Sequence, residues 1–526
     1  MNDMGSSDLL LAGIVLALGG LVFGYELGII SGALLQLKAE FRLSCVQQEA
    51  LVSSLLVGAL LASILGGYLI DRHGRRTTIL LGNVLVLTGS VVLMLRFYWA
   101  LVLGRVIVGF AVCVSSMSCC IFVSELVSPD HRGVLVTLYE AGVTVGILGA
   151  YAVNYLLSDS EGGWRWMFGL VVVPTLVQLV SICFLPSNTE EPSRDRTRRR
   201  LMETQQMDDP DQFSTMYLLQ SKDNMRVRTV IGLGLVLYQQ FTGQPTVLFY
   251  ASTIFHSVGY HSDAAALLAS VGLGVVKVLA TVTSMLFSDR VGRRPLLITG
   301  CSVMAVCLMT IGLLSGRSAA GATRPCVSQE AVANATDLPP VGVGPQSAVD
   351  LNHVLELRKN TTIHGGLGHD ETGLEVDSGV VCTVVNWIIL FSMMGVVSAY
   401  AIGFGPMTWL LLSEIFPAAV RGRAFAFANG FNWAANLLVT STFLDVTDAI
   451  GLSGLFVLFG LVAVAAAVFF SLTLPETKGK SLEDIDQELR SIRFDHVGRC
   501  WAFIRRRRRS SSARYQRVRC DVSASS

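Results

Sequence analysis

Charged residues are scarce in this sequence. Lysine, arginine, aspartate and glutamate make up 15% of its 526 residues, whereas soluble globular proteins contain roughly 25%. Hydrophobic residues make up 52%, and the mean hydropathy is +0.56. So few charges cannot cover the surface of a soluble protein of this size. The composition therefore excludes that class and predicts an integral membrane protein.

The sequence also lacks the features of several functional classes. Its 40 basic and 39 acidic residues leave a formal net charge of +1, so we expect no nucleic-acid partner. The eleven cysteines form no Cys-x-x-Cys pair and no cluster with histidine, so we expect no disulfide scaffold, no metal and no cofactor. An ATP-driven pump is disfavoured because Leu474 stands where a phosphate-binding loop ending in Gly479-Lys480-Ser481 needs its first glycine. The eight histidines do not converge at one depth, which argues against an enzyme.

What the sequence does contain is long apolar runs. A helix that crosses about 30 Å of hydrocarbon needs roughly 20 mostly apolar residues, and twelve runs meet that description. We number these predicted spans 1 to 12, and they cover residues 9–33, 50–70, 78–96, 100–123, 133–157, 165–185, 229–256, 264–288, 295–315, 380–413, 424–444 and 452–474. The expected fold is an all-α membrane protein with twelve transmembrane helices.

Positive residues cluster on one side of these spans. They lie at 72–76, 132, 194–200, 290–294, 421–423 and 505–509, in even-to-odd connections or in the C-terminal tail. Positive residues favour the cytoplasm, so we expect both termini there and the segment 316–378 outside. That segment carries two N-glycosylation sequons, at Asn334 and Asn360. In an external compartment, Cys326 and Cys382 either form a disulfide or remain free.

The two halves of the chain repeat each other. Each half has an Asp-Arg-x-Gly-Arg-Arg turn after its second span, and a Glu followed seven residues later by Arg after its fourth. The charged residues of these motifs are Asp71, Arg76, Glu125 and Arg132 in the first half, and Asp289, Arg294, Glu414 and Arg421 in the second. Such duplication is typical of transporters whose halves rock around a midplane site. We expect the eight residues to form a cytoplasmic charge network that locks the outward-open state.

The repeat also divides the chain into domains. Residues 1–185 are expected to form the first six-helix half, and residues 229–475 the second, which includes the external loop. A polar cytoplasmic linker at 186–228 joins them, and a cytoplasmic tail follows at 476–526. The five arginines at 505–509 are either a solvated positive tail or a site for anionic lipids. Apart from the bilayer, the expected partner is one small solute, and the expected functional unit is a monomer.

Neutral amides lie near the middle of two spans. Gln239 and Gln240 are about 16 Å into span 7, and Asn432 is about 14 Å into span 11, counted by helical rise. Amides donate and accept hydrogen bonds, as sugar hydroxyls do. Trp409 in span 10 offers a flat apolar face to a sugar ring. The alternative to sugar contact is that the amides form hydrogen bonds between helices and that Trp409 packs in a helix interface.

Together these motifs resemble the sugar porter family of the major facilitator superfamily over essentially the whole chain. The residues that carry the resemblance are the paired charged motifs, Gln239-Gln240-Phe-Thr-Gly243, Gly405-Pro406-x-x-Trp409, Asn432-Trp433-x-x-Asn436 and Pro475-Glu-Thr-Lys-Gly479. Within the family the chain is most similar to class III of the facilitative glucose transporters. The resemblance implies facilitative hexose transport, with dehydroascorbate as a further solute, at the plasma membrane or in perinuclear, Golgi or endoplasmic-reticulum membranes. Pro245 and Ala401 depart from the family pattern, where Asn and Glu stand, so the preferred sugar stays open.

The resemblance also implies further residues of the sugar site. Thr246 and Asn436 join the set, and Glu140 and Lys277 occupy positions where glucose carriers have a neutral Gln and Asn that contact sugar. Glu140 lies in span 5 and Lys277 in span 8, about 12 Å and 18 Å from the cytoplasmic ends of their helices. We expect a salt bridge between them across the two halves. The alternative is that each charge is neutralised by a separate partner.

Two more charges lie inside spans, where they are costly and therefore suggest a function. By helical rise, Glu26 in span 1 and Arg105 in span 4 lie at similar depth, so they can pair. Span 1 also carries a ridge of glycines at four-residue spacing that lets a neighbouring helix approach closely, namely Gly20, Gly24, Gly28 and Gly32. Glu26 lies about 200° around the helix from this ridge. By resemblance, Glu26 occupies the position of the acid in proton-coupled sugar porters. A proton-coupled symporter is therefore an alternative to a uniporter. For the two residues themselves, the alternative is a fixed structural ion pair. For the protein as a whole, the alternative from another class is a sugar-sensing receptor without flux.

The two sequons give the first testable prediction. An Asn334→Gln, Asn360→Gln double variant should migrate faster than the wild type on a denaturing gel, because it would lack two glycans. Enzymatic deglycosylation should remove the difference. If the double variant and the untreated wild type migrate alike, residues 316–378 are not glycosylated and the predicted orientation loses its main support.

Overall fold

The protein is helical throughout the part of the chain that the computed structural model describes, namely residues 6–126, 129–184, 215–220, 222–258, 262–318, 372–417, 420–478, 480 and 482–491. The helices of the first half are α1 Ser6–Phe41, α2 Cys45–His73, α3 Arg75–Leu93, α4 Tyr98–Leu126, α5 Pro129–Leu156, α6 Trp164–Gly169 and α7 Val172–Phe184. The second half contains α8 Met225–Phe241, α9 Gln244–Phe249, α10 Ala251–Val258, α11 Asp263–Val291, α12 Arg293–Ser318, α13 Thr372–Ile402, α14 Phe404–Ile415, α15 Arg421–Ser441 and α16 Phe443–Thr473. The tail helix α17 covers Leu482–Ser491.

These helices account for all twelve predicted spans. Spans 1 to 5 are α1 to α5, span 6 is α6 with α7, span 7 is α8 to α10, span 10 is α13 with α14, and spans 8, 9, 11 and 12 are single helices. In the described residues, nine helices are long and apolar enough to cross a membrane by length and composition alone. The other three spans are less regular, since span 7 is broken at Gly243 and spans 5 and 11 carry polar residues such as Glu140 and Asn432.

The connections between helices fall at two ends of the bundle. We call one the motif end, because it holds the repeated turns at Gly74 and Gly292 and the tail helix α17. Both glycines have a positive φ, +82° and +107°, which a residue with a side chain adopts only at a cost. The repeated motif therefore folds into a left-handed turn in each half. We call the opposite end the loop end, and it includes the α1–α2 and α15–α16 connections.

Glycines let α1 lie directly against α5. A side chain at Gly20 or Gly24 would run into the backbone of Tyr139 or Val143, and a Cβ at Gly28 would lie 3.0 Å from the Cβ of Ala150. The glycine ridge predicted in span 1 is therefore the α1–α5 contact surface. Between the halves, α5 packs on α11 and α2 packs on α15.

Two spans are interrupted near their middle. Gly403, with φ −89° and ψ −82°, separates α13 from α14, as the Gly-Phe-Gly-Pro sequence of span 10 predicts. Span 7 breaks between α8 and α9 at Gly243, where φ is +74°. The sequence analysis did not foresee this second break, although glycine is the residue that such a φ requires.

The tail helix is fastened to the bundle by a buried arginine. Arg228, 1% exposed, donates to the carbonyl oxygens of Ile415 and Asp486, each at 3.0 Å, and pairs with the Asp486 carboxylate at 2.7 Å. Burial acts to raise the pKa of Asp486, but the hydrogen bonds and charges of Arg490 and Arg228 outweigh it and hold that pKa below its ordinary value. Residues 225–228, assigned to the linker by sequence, are therefore the first turn of α8.

The α1–α5 contact gives a prediction about stability. Gly24→Ala should lower the free energy of unfolding by about 1 to 3 kcal/mol or more, because the added methyl group meets the Val143 backbone. Gly67→Ala in α2 is the matched control, since a Cβ there meets nothing within 4 Å. Thermal unfolding of the purified variants measures both effects. Equal stability of the two variants would contradict the packing described above.

Candidate functional site

Paired amides join spans 7 and 11 in the middle of the second half. Gln240 donates from Nε2 to Oδ1 of Asn432 at 2.6 Å. Gln239 donates from Nε2 to the carbonyl oxygen of Phe404 at 3.4 Å, beside the break in span 10. The Oε1 atoms of both glutamines are buried without a hydrogen-bond partner. Each glutamine therefore has an acceptor left for a ligand that donates.

A second polar contact lies one turn further along these spans. The hydroxyl groups of Thr246 and Thr440 are 3.4 Å apart, and Thr440 donates to Oδ1 of Asn436 at 3.1 Å. The break at Gly243 separates α9 from α8. Thr246 of α9 and Gln240 of α8 therefore contact span 11 at two different points. The structure thus brings four predicted residues, Gln240, Thr246, Asn432 and Asn436, to one interface.

The aromatic residues of the motifs lie on both sides of this interface. Trp409, on α14, is partly buried and packs against Phe425 with ring centroids 5.4 Å apart. Trp433, on α15, meets Phe23 of the first half edge-on, with ring centroids 6.1 Å apart. Trp433 therefore contributes to the contact between the halves.

Glu140 and Lys277 face each other across the halves without forming the expected salt bridge. Their charges attract each other, but no ion pair within 4.0 Å joins these two described side chains. The Lys277 ammonium lies instead over the ring of Tyr400, 5.6 Å from its centroid. The salt bridge is thus not formed in this conformation, because a cation–π contact holds the ammonium on the second half.

Glu26 and Arg105 do form an ion pair inside the first half. Oε2 of Glu26 and Nη1 of Arg105 are 3.1 Å apart, both side chains are 0% exposed, and Nη1 also donates to the Glu26 carbonyl oxygen at 3.1 Å. The guanidinium lies 5.9 Å from the ring centroid of Phe168. Oε1 of Glu26 and Nε and Nη2 of Arg105 have no partner, so the pair is desolvated without being fully satisfied.

The described charged-motif residues lie at the motif end, and each of the following contacts stays within one half. Glu414 pairs with Arg293 at 3.7 Å, and Arg294 donates to the carbonyl oxygen of Ser471 at 2.6 Å. Their counterpart Arg76 donates to the carbonyl oxygen of Cys183 at 2.9 Å, and Arg421 to that of Phe416 at 3.3 Å. The side chains of Asp71, Glu125, Arg132 and Asp289 lie outside the described part of the chain, as do Asn334, Asn360, Cys326 and the side chain of Cys382.

Several contacts between the halves cluster toward the loop end. The carboxylate of Glu49, 4% exposed, accepts from the backbone N–H groups of Leu444 at 2.7 Å and Asp445 at 3.2 Å, and so caps the first turn of α16. Ser31 and Ser252 join α1 to α10, and the Tyr151 hydroxyl donates to the Leu248 carbonyl oxygen. These contacts hold the loop end closed.

Sequence reasoning missed some of these residues. Glu49 fell one residue outside the predicted start of span 2, and Tyr400 gave no signal beyond a polar aromatic before a Gly-Phe-Gly-Pro bend. Cys45 is disulfide-bonded, and sequence reasoning did not single out this residue. In the described residues no group of three or more His, Cys, Asp or Glu side chains is placed to hold a metal ion.

Comparison with known proteins gives a consistent result. Residues 12–332 and 372–489 match the family described as "Sugar (and other) transporter". The chain is 52% identical to solute carrier family 2, facilitated glucose transporter member 10 of Danio rerio, over 99% of this chain and 100% of that protein. It is 49% identical to member 10 of Homo sapiens over 91% of this chain and 93% of that protein. It is 40% identical to member 12 of Homo sapiens over 92% of this chain and 86% of that protein.

The fold is similar to that of a solved transporter. The proton:xylose symporter XylE bound to 6-bromo-6-deoxy-D-glucose aligns with a TM-score of 0.68 and 26% identity, over 92% of this chain and 100% of that one. The inward-open conformation of the xylose transporter XylE from E. coli aligns with a TM-score of 0.63 and 26% identity, over 90% of this chain and 98% of that one.

The Glu26–Arg105 pair gives a prediction about stability. Glu26→Gln and Arg105→Gln should each cost about 3 to 5 kcal/mol, because each leaves one buried charge without its counter-charge. The double variant should lose less than the sum of the single losses. Arg96→Gln is the control, since Arg96 is 70% exposed and its pair with Glu40 should be worth roughly 1 kcal/mol or less. Chemical unfolding measures these values, and additive losses at Glu26 and Arg105 would show that the pair is not coupled.

Proposed function

The chain belongs to the sugar transporter family of the major facilitator superfamily, and from this premise we propose that it is a facilitative transporter of hexoses that works by alternating access. It is a multi-pass integral membrane protein and not an enzyme. Its relatives in Danio rerio and Homo sapiens are named facilitated glucose transporters. Dehydroascorbate is proposed as a further solute on the family resemblance alone.

The unpartnered oxygens of Gln239 and Gln240 carry the proposal of a sugar site. A buried acceptor without a donor is costly in the middle of a bilayer, where no lipid group can supply one. Sugar hydroxyls supply donors, and at the same time they accept from amide N–H groups. Asn432 orients Gln240, while Asn436 and Thr246 extend the polar surface and Trp409 supplies an apolar wall.

The distribution of contacts between the halves supports alternating access. The capping of α16 by Glu49, with the Ser31–Ser252 and Tyr151–Leu248 contacts, closes the loop end. If the motif end is cytoplasmic, as the positive residues indicate, this conformation is closed to the outside. The charged motifs would then act in the opposite state, in which they hold the motif end together and the loop end opens.

The buried Glu26–Arg105 pair favours a second candidate function, a proton-coupled sugar symporter. An ion pair that opens in a dry interior leaves the carboxylate without its counter-charge, and a bound proton neutralises that carboxylate. A change of conformation that parts Glu26 from Arg105 would therefore load a proton. If the protein is a facilitative transporter, the alternative role of Glu26 and Arg105 is a pair that never exchanges a proton and only joins α1 to α4.

Transport by the purified protein tests these proposals. In liposomes, the wild type should exchange labelled hexose down its gradient without ATP. The flux through Gln240→Ala should be lower by about tenfold or more, because a hydrogen bond to the sugar is removed and Asn432 loses its orientation. Gln220→Ala, at the motif end, is the control amide and should transport as the wild type does. Counterflow of labelled sugar separates a carrier from a receptor that binds without flux.

Two outcomes would contradict the assignments. Full flux in a folded Gln240→Ala protein would remove span 7 from the site, and absence of counterflow in the wild type would favour the receptor. Uptake that rises in acidic external medium and loses this response in Glu26→Gln would favour the symporter over the uniporter.

A further inference from the structure

Glu49 is a buried carboxylate that joins the two halves at the loop end. It lies near the start of α2 and is 4% exposed. It accepts from the backbone N–H groups of Leu444 at 2.7 Å and Asp445 at 3.2 Å, both in the first turn of α16. No lysine or arginine among the described residues neutralises it. The partial positive charge at the N-terminus of α16 therefore takes the place of a counter-ion.

The start of α16 has no side-chain cap from its own half. The first N–H groups of a helix lack partners within the helix, and a threonine at the N-cap position commonly supplies one. Thr442 occupies that position, but its hydroxyl group donates to the Leu438 carbonyl oxygen at 2.9 Å and makes no capping hydrogen bond. Two N–H groups of α16 are therefore capped by Glu49, a side chain of the other half.

The Glu49 contact differs in kind from the other hydrogen bonds between the halves at the loop end. Those bonds, such as Ser31–Ser252, join neutral groups. A hydrogen bond to a carboxylate is roughly twice as strong as a neutral one. The negative side chain of Asp445 opposes the contact, because it repels the Glu49 carboxylate. Both the attraction and the repulsion depend on the charge of Glu49, so this residue is well placed to set the strength of closure.

The contact can exist in only one of the two states of alternating access. Glu49 belongs to the first half and α16 to the second, and alternating access is largely a rigid-body movement of one half against the other. When the loop end opens, the carboxylate leaves the N–H groups of α16. A contact that is present in one state lowers the free energy of that state alone, and so it shifts the populations toward it.

We propose that Glu49 is the latch of the loop end, namely a helix cap that one half supplies to the other and that sets how often the loop end opens. The proposal rests on the proposed alternating access and adds its regulation. Glu49 is a positioning residue, because it acts through the placement of α16. Loss of its carboxylate should leave each half intact and should raise the population of the state that is open at the loop end.

Thiol labelling of the purified protein measures this population without any sugar. The reporter is Ser252→Cys, at a position that is 0% exposed and lies against Ser31 of the other half. Addition of Glu49→Ala should raise the labelling rate of the reporter roughly twofold to thirtyfold, which is the range expected for the loss of a helix cap. Glu49→Gln should give a smaller rise, because its amide oxygen still accepts but carries no charge.

Two controls separate opening from loss of structure. Glu40→Ala removes another carboxylate near the loop end, whose partners Trp164 and Arg96 lie in its own half, and it should leave the reporter rate unchanged. The native thiols of Cys119 and Cys301 are 0% exposed, one inside each half. They should stay protected in Glu49→Ala, because a rigid-body movement leaves the interior of each half packed. Mass spectrometry of the labelled peptides reads all three thiols in one sample.

Three outcomes would overturn the latch. The first is an unchanged reporter rate in Glu49→Ala, and the second is an equal rise in Glu40→Ala. The third is labelling of Cys119 or Cys301 that rises together with the reporter in Glu49→Ala, since it would show that Glu49 stabilises the fold in general. Absence of hexose flux through the wild type in liposomes would contradict the proposed function instead, because the labelling rates do not depend on transport.

Discussion

Every polar group inside the bilayer must find a partner within the protein, because lipid offers none. The helices satisfy their backbone groups internally, so the constraint falls on the side chains. Most buried serines and threonines meet it locally, by donating to the carbonyl oxygen one turn back, as Ser90 does to Val86 and Thr281 does to Lys277. The charges and the long amides cannot meet it in this way, and these residues join helices or remain available to a ligand.

The charged residues show two solutions to this constraint. Glu26 and Arg105 pair inside one half, where the helices that carry them move together. Glu140 and Lys277 lie in different halves and are not in contact, so their energy depends on how the halves are placed. A pair within a half can stabilise that half in every state, whereas a pair across the halves favours one state over another. This difference explains why the second pair, and not the first, can respond directly to a ligand between the halves.

Breaks in the helices place the functional groups at the right depth. Span 7 at Gly243 and span 10 at Gly403 interrupt their hydrogen-bond ladders next to Gln239, Gln240 and Tyr400. Irregular backbone inside a membrane is tolerated where it is buried in protein or lines a cavity. The close approach of α1 to α5 through small residues keeps the first half compact, and both of these breaks lie in the second half.

The sequence by itself determined the number of spans, the duplication, the family, the bend in span 10 and the glycine surface of span 1. These features depend on composition and on the fixed rise and periodicity of a helix, which are local properties. The fixed rise of a helix also predicted that Glu26 and Arg105 lie at the same depth, and in the structure they form an ion pair. Tertiary structure alone decided that Lys277 lies over Tyr400 and not against Glu140, that Glu49 caps a helix 395 residues away, and that Arg228 anchors the tail helix. Such contacts join residues far apart in the chain, and a long side chain can reach several partners at one depth, so helical rise does not determine which partner it meets.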